Sequence, residues 1–193
     1  MRHILSIISL TVLTCLYASC SGTKNIGQAE AVEGDEIPAM VTRDVVMLIS
    51  DSGVIKYRAI TPNWTRFGDE AKEPYQYFPE GVRFEQVMRA EGDSVVFVSD
   101  ETIVADTAYN WEDRQLWRLV GNVEVRSLQG ELFQTEELFW NMKDHQVYSD
   151  SFIHIERKDN IIEGYGFTSN DDFSEYNIRQ TSGVFPAREN NQE

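Results

Sequence analysis

From Val41 onward, apolar and polar residues alternate with a period of two in short runs, and polar or glycine-containing turns separate the runs. Side chains alternate between faces along a strand, so this pattern predicts β-strands buried on one side. Val45 to Ile49, the turn Asp51-Ser52-Gly53 and the alternating Ile55, Tyr57 and Ala59 read as a first hairpin, ended by Pro62 and Trp64. Thr65 to Glu80, which contains Pro74 and Pro79, reads as a loop carrying an aromatic turn at Tyr75, Tyr77 and Phe78. Strands resume at Val82-Arg83-Phe84-Glu85 and at Val95 to Val98, and continue through Ile103 to Asp106. Val82 to Ala90 also fits helical spacing, but Gly81 and Gly92 flank it and leave too few residues for a stable helix. Ile161 to Phe167 is another strand, whose Gly164 and Gly166 permit a bulge, and Thr181 to Phe185 closes the pattern.

The stretch from Ala105 to Phe167 repeats itself at an offset of thirty residues. Ala108-Tyr109 falls on Leu138-Phe139, Trp117 on Val147, Val123 on Ile153 and Val125 on Ile155. Each copy runs from an apolar-aromatic strand through a polar turn (Trp111 to Arg114, Asn141 to His145) to an alternating strand, Val-Glu-Val or Ile-His-Ile. Copies this small cannot bury an apolar face alone, so they must share one core in an all-β antiparallel meander. The alternation puts Val123, Val125, Ile153 and Ile155 on one face, with Glu124 and His154 on the other.

The N-terminus differs. Arg2 precedes an apolar run from Ile4 to Leu16 that Ser6, Ser9, Thr11 and Thr14 interrupt, which is short for a membrane span but suits a cleaved leader over residues 1–19. Ala18-Ser19-Cys20 resembles the lipobox of bacterial lipoproteins, in which small residues precede a cysteine that is acylated. Tyr17 departs from that pattern, and Cys15 is the competing site, although Leu13-Thr14 before it lacks the small residue. No other cysteine is present, so none remains for a disulfide after processing. Acyl chains on Cys20 would hold the protein to a membrane, and the polar stretch to about residue 40, with Gly22, Gly27 and Gly34, reads as a spacer. The domain is expected over 41–185, followed by a polar tail over 186–193.

The chain's 193 residues, 41% hydrophobic, suffice for one core. A net charge of -15, from 32 acidic against 17 basic residues, opposes binding to nucleic acid, which needs clustered Lys and Arg. Catalytic chemistry finds little support. His145 and His154 sit near no cysteine and at no metal-ligating spacing. Asp100-Glu101 and Glu136-Glu137 are adjacent, and neighbours on a strand point to opposite faces, so they cannot flank one glycosidic bond. Asp171, Asp172 and Glu175 offer oxygens for Ca²⁺ without the spacing of a known loop, and solvated turns explain them as well. Neither a cofactor nor a metal is expected.

The segments Leu119-Val120-Gly121-Asn122-Val123-Glu124-Val125, Thr135-Glu136-Glu137-Leu138-Phe139-Trp140, Val147-Tyr148-Ser149-Asp150 and Gly164-Tyr165-Gly166-Phe167 resemble the OstA-like β-repeat of the lipopolysaccharide export bridge. Gly53 to Ala59 and Tyr77 to Val82 are similar to its membrane-proximal component, the LptC family. The resemblance spans roughly Arg43 to Phe185. It implies a twisted, partly open β-jellyroll without catalytic residues, which takes lipopolysaccharide from an inner-membrane ABC transporter and hands it to the next periplasmic jellyroll. The best-known members hold the membrane through an uncleaved helix, where this chain carries a candidate lipidated cysteine. On this reading Val123, Val125, Phe133, Ile153, Ile155 and Phe167 line the lipid path. Val45, Met47 and Ile49 mark the edge facing the transporter, and Val184 marks the edge facing the next bridge protein. A lipoprotein scaffold with a closed core and no lipid path is the alternative.

Overall fold

Eleven antiparallel strands form one sheet in the computed structural model, which describes residues 37–68, 71, 73–89 and 95–184. They are β1 (Met40–Asp51), β2 (Val54–Phe67), β3 (Tyr75–Phe78), β4 (Val82–Arg89), β5 (Val95–Ala105), β6 (Thr107–Trp111), β7 (Leu116–Arg126), β8 (Leu132–Asn141), β9 (Gln146–Glu156), β10 (Ile161–Asn170) and β11 (Tyr176–Val184). A one-turn 3-10 segment, Glu112–Arg114, joins β6 to β7.

The pairing is simpler than the strand count. β2 holds β4 through Tyr57 to Ile60 and β3 through Thr65 to Phe67. In the same way β7 holds β5 through Glu124 to Arg126 and β6 through Leu116 to Val120. Hence β3 and β4 are one strand broken at Pro79 to Gly81, β5 and β6 are one strand broken at Asp106, and the sheet is an up-and-down meander in chain order.

Backbone irregularities near the middle of several long strands line up into a crease across the sheet. In β1 it falls at Asp44 (φ 52), in β7 at Gly121 and Asn122 (φ 79 and 44), and in β10 at Gly166 (φ 76). The β7–β8, β8–β9 and β9–β10 registers slip at the same level, between Val120 and Val123, Thr135 and Phe139, and Tyr165 and Phe167. A bulge leaves backbone groups unpaired, and short hydroxyl and amide side chains satisfy them here. Thr61 Oγ1 donates to Gly81 O (2.8 Å), Ser149 Oγ to Glu137 O (2.6 Å) and Thr135 Oγ1 to Phe152 O (2.7 Å). Asn122 Nδ2 donates to Asp106 Oδ2 (2.6 Å), and the Asp106 amide donates to Gly121 O (3.0 Å). Gly166 suits its place because its φ is positive, a conformation that strains a side chain, and because the Arg179 side chain lies where a Cβ would stand.

Folding along the crease lays one half of the sheet on the other and makes the core. Tyr57 meets Trp140 edge to face at 4.7 Å, Phe84 meets Trp117 at 4.9 Å, and Phe133 meets Phe173 at 5.2 Å. Ala59, Phe78, Leu119, Leu138 and Val147 complete a fully buried layer, each large apolar side chain contributing roughly 1.5–3 kcal/mol. The outer face is held by cross-strand pairs. Phe139 stacks on Tyr148 at 5.1 Å, and the Arg118 guanidinium lies 5.8 and 5.9 Å from the Tyr109 and Phe139 rings while pairing with Glu137.

The thirty-residue repeat corresponds to two successive hairpins, and their turns match in conformation, with Gln115 at φ 51 and His145 at φ 50. Three expectations need correction. Pro62 and Trp64 do not end β2, which runs on to Phe67. Pro62 is tolerated because it lies on the crease opposite Asp44, between the pairs Arg43–Asn63 and Val45–Thr61, where no ladder bond is lost. The segment Thr65 to Glu80 is not all loop, since Tyr75–Phe78 pairs with β2 and β6. The closing strand begins at Tyr176 rather than Thr181.

Candidate functional site

The interior comes first. β7 and β8 place Val123, Val125 and Phe133 on the inner face, β9 adds Ile153 and Ile155, and β10 adds Phe167, all with almost no exposed surface. These six residues lie in one core with Tyr57, Phe84, Trp117, Trp140 and Phe173. Tyr57, Phe84, Trp117, Trp140 and Phe173 were not among the candidate site residues, although period-two spacing from Leu138 marks Trp140. Around the core sits a half-buried apolar margin of Met47, Ile49, Ile162, Tyr176 and Ile178, contributed by the strands nearest the two ends of the meander.

Those ends are open. β1 pairs only with β2 and β11 only with β10 among the described residues, so the ladder does not close. On β1, Val45, Met47 and Ile49 turn inward and are half-buried, while Val46 and Leu48 point outward, 61% and 56% exposed. Over Val45–Ile49 this edge strand is apolar on both faces and lacks the charges that normally discourage pairing with another chain. On β11, Val184 pairs with Ile161 as the last residue of the ladder. Cys20 and Cys15 lie outside the described residues.

The third feature is a cleft of about 320 Å³ between the halves, opposite the crease, lined by Asp51, Lys56, Tyr57, Gln86, Trp140, Met142, His145, Asp171 and Asp172. Glu101 stands beside Asp171 and Asp172, 5% exposed, with its Oε2 buried and unpartnered. Burial, reinforced by those two aspartates, pushes its carboxyl up to about 7. His145 Nδ1 lies 2.9 Å from Asp171 Oδ2, and that carboxylate raises the imidazole above its usual range. Asp172 is held below its usual range by Ser174, whose amide donates to it at 3.0 Å. On the outer face His154 Nδ1 is 2.8 Å from Glu163, which raises it too. No group of three His, Cys, Asp or Glu side chains converges to hold a metal ion among the described residues, and no helix there is long and apolar enough to cross a membrane.

An all-β meander, folded on itself and left open at both edges, belongs to the jellyroll class. A search of curated proteins returns no match. The model of the family described as lipopolysaccharide-assembly, LptC-related, matches residues 5–181. The chain therefore belongs to the LptC family. Membership gives it a role in the lipopolysaccharide transport bridge of the cell envelope, at its periplasmic side, in a family of transport components rather than enzymes.

Proposed function

We propose that this protein is a lipid-anchored periplasmic component of lipopolysaccharide export, which accepts lipopolysaccharide from the inner-membrane ABC transporter and passes it to the next β-jellyroll of the bridge. The observation that carries this reading is the unclosed ladder: an apolar interior, bordered by Met47, Ile49, Ile162 and Ile178, lies between two unpaired strand edges. Acyl chains gain about 0.8 kcal/mol for each CH₂ they bury, and each edge offers backbone donors and acceptors to a partner strand. β1 follows the proposed anchor in sequence and faces the transporter, leaving β11 for the next bridge protein. The chain has no nucleotide-binding loop, so the ATPase of the transporter supplies the energy.

Photo-crosslinking tests the lipid path. A photoreactive residue at Met47 or Ile178 is expected to capture lipopolysaccharide in cells, and one at Glu124, on the outer face, is not. Equal labelling at both positions would leave the scaffold reading in its place. The anchor is tested separately. Cys20→Ala is expected to abolish labelling by a palmitate analogue, whereas label retained in that variant would move the site to Cys15 or overturn the anchor.

A further inference from the structure

The largest fully buried side chains all stand on strands except one. Phe173 comes from the turn between β10 and β11, is 2% exposed, and packs against Phe133 at 5.2 Å and Phe167 at 6.3 Å. Its backbone is at φ 58, a left-handed conformation that a bulky residue adopts only when its surroundings hold it there. The rest of the turn is polar: Asp171, Asp172, Ser174 and Glu175. An aromatic ring at the tip of an acidic turn is thus inserted between the two halves of the sheet.

Resting on the lipid-path reading above, we propose that Phe173 is a removable plug, which fills the place of an acyl chain while the protein is empty and swings out to admit one. A strand residue cannot leave the core without breaking ladder hydrogen bonds. Phe173 can, because the turn is closed mainly on itself. Asn170 clasps it through Oδ1 to the Glu175 amide (3.1 Å) and through Nδ2 to Ser174 Oγ (2.8 Å), and Ser169 Oγ donates to Glu175 O (3.0 Å). None of these bonds involves Phe173, whose own amide makes only a long contact of 3.3 Å to Asn170 O. Leaving the core lets the residue abandon its left-handed conformation, and the exposed ring exchanges its contacts on Phe133 and Phe167 for those of an incoming chain.

The surroundings bias the turn toward release. Asp171 and Asp172 line the cleft with Asp51 and act on the buried Glu101, so like charges, increasingly as Glu101 ionises, push the turn away from the opposite half. His145 opposes this by holding Asp171, and Lys56 is the other cation lining the cleft. Next to the plug, Arg157 lies 5.1 Å over the Tyr176 ring and pairs with Glu131 at 2.7 Å, which steadies the start of β11 while the turn moves.

The test measures binding of 11-(dansylamino)undecanoic acid to the full chain carrying Cys20→Ala in every arm, which removes any attached acyl group from the comparison. Phe173→Ala is expected to bind the probe at least fivefold more tightly than the parent, and Phe173→Leu about as the parent does. His145→Ala keeps the plug and loosens its tie, and is expected to tighten binding by a smaller factor; this arm still reads if Phe173→Ala fails to fold. Equal affinity in parent, folded Phe173→Ala and His145→Ala would overturn the plug and leave the lipid path standing. No binding by any of the proteins would overturn both.

Discussion

Glu101→Gln is expected to stabilise the protein by about 3 kcal/mol at pH 8 and by only about 1 kcal/mol at pH 5. The carboxyl sits beside Asp171 and Asp172 in a buried site, and it is raised from the ordinary 4.5 to about 7. Between those two values the folded chain holds a proton that the unfolded chain has lost, so stability falls as pH rises through that window. Below it the protonated acid and the amide are alike in charge; above it only the acid carries a buried, unpartnered negative oxygen. His145 and His154 act in the same direction, because both are raised by neighbouring carboxylates, so the stability they lend is complete below the ordinary imidazole range and lost above it. Glu85, lowered chiefly by Arg58, and Asp172, lowered by Ser174, act in the opposite direction at low pH. The parent protein should therefore be most stable near pH 5. Urea unfolding of parent and variant at pH 5, 6.5 and 8 checks this, and parallel pH profiles would show that Glu101 is not strained.

A buried acid of this kind stores instability where the two halves of the sheet part. Core burial of Trp140 and Tyr57 holds the halves together from one side of the cleft, and the carboxylates Asp51, Glu101, Asp171 and Asp172 press them apart from the other. On the lipid-path reading proposed above, this opposition places a weak point of the fold beside the apolar interior.

Much of the fold was legible because strand alternation is a local signal. Val123 with Val125 and Ile153 with Ile155 show their common inner face in the sequence itself, and the thirty-residue offset reproduces even the left-handed turn residues Gln115 and His145. The crease was less legible, since it depends on a change of parity. Thr135 and Leu138 are both buried at a spacing of three, as are Gly164 and Phe167, which alternation alone would forbid. Pro62 pointed the wrong way, because a proline reads as a strand terminus unless its amide is already unpaired. Phe173 and Glu101 could not be placed at all. Each lies next to acidic residues, which in a sequence signal a solvated turn, and only the approach of β5 and the β10–β11 turn reveals that one is a buried acid and the other a buried ring.

Proline substitutions at the end of β11 are expected to alternate in effect, and this decides whether the proposed joint to the next bridge protein is made by strand addition. In an antiparallel ladder successive residues direct their amides alternately to the paired neighbour and to the free side. Gly183 pairs with Ile162 and Val184 with Ile161, so one of these two amides belongs to β10 and the other faces outward. Proline removes the amide hydrogen. At the inward position it takes a bond from the β10–β11 ladder and lowers stability, while at the outward position it leaves the fold intact and removes a donor from the partner. Of Gly183→Pro and Val184→Pro, the variant with unchanged thermal unfolding should therefore be the one that loses co-purification with the partner, by tenfold or more. Substituting alanine for Val184 should matter far less, because the joint is made by backbone. Full partner capture by a folded protein carrying both prolines would exclude this edge, and would move the joint to β1, where Val46 and Leu48 present the other apolar margin.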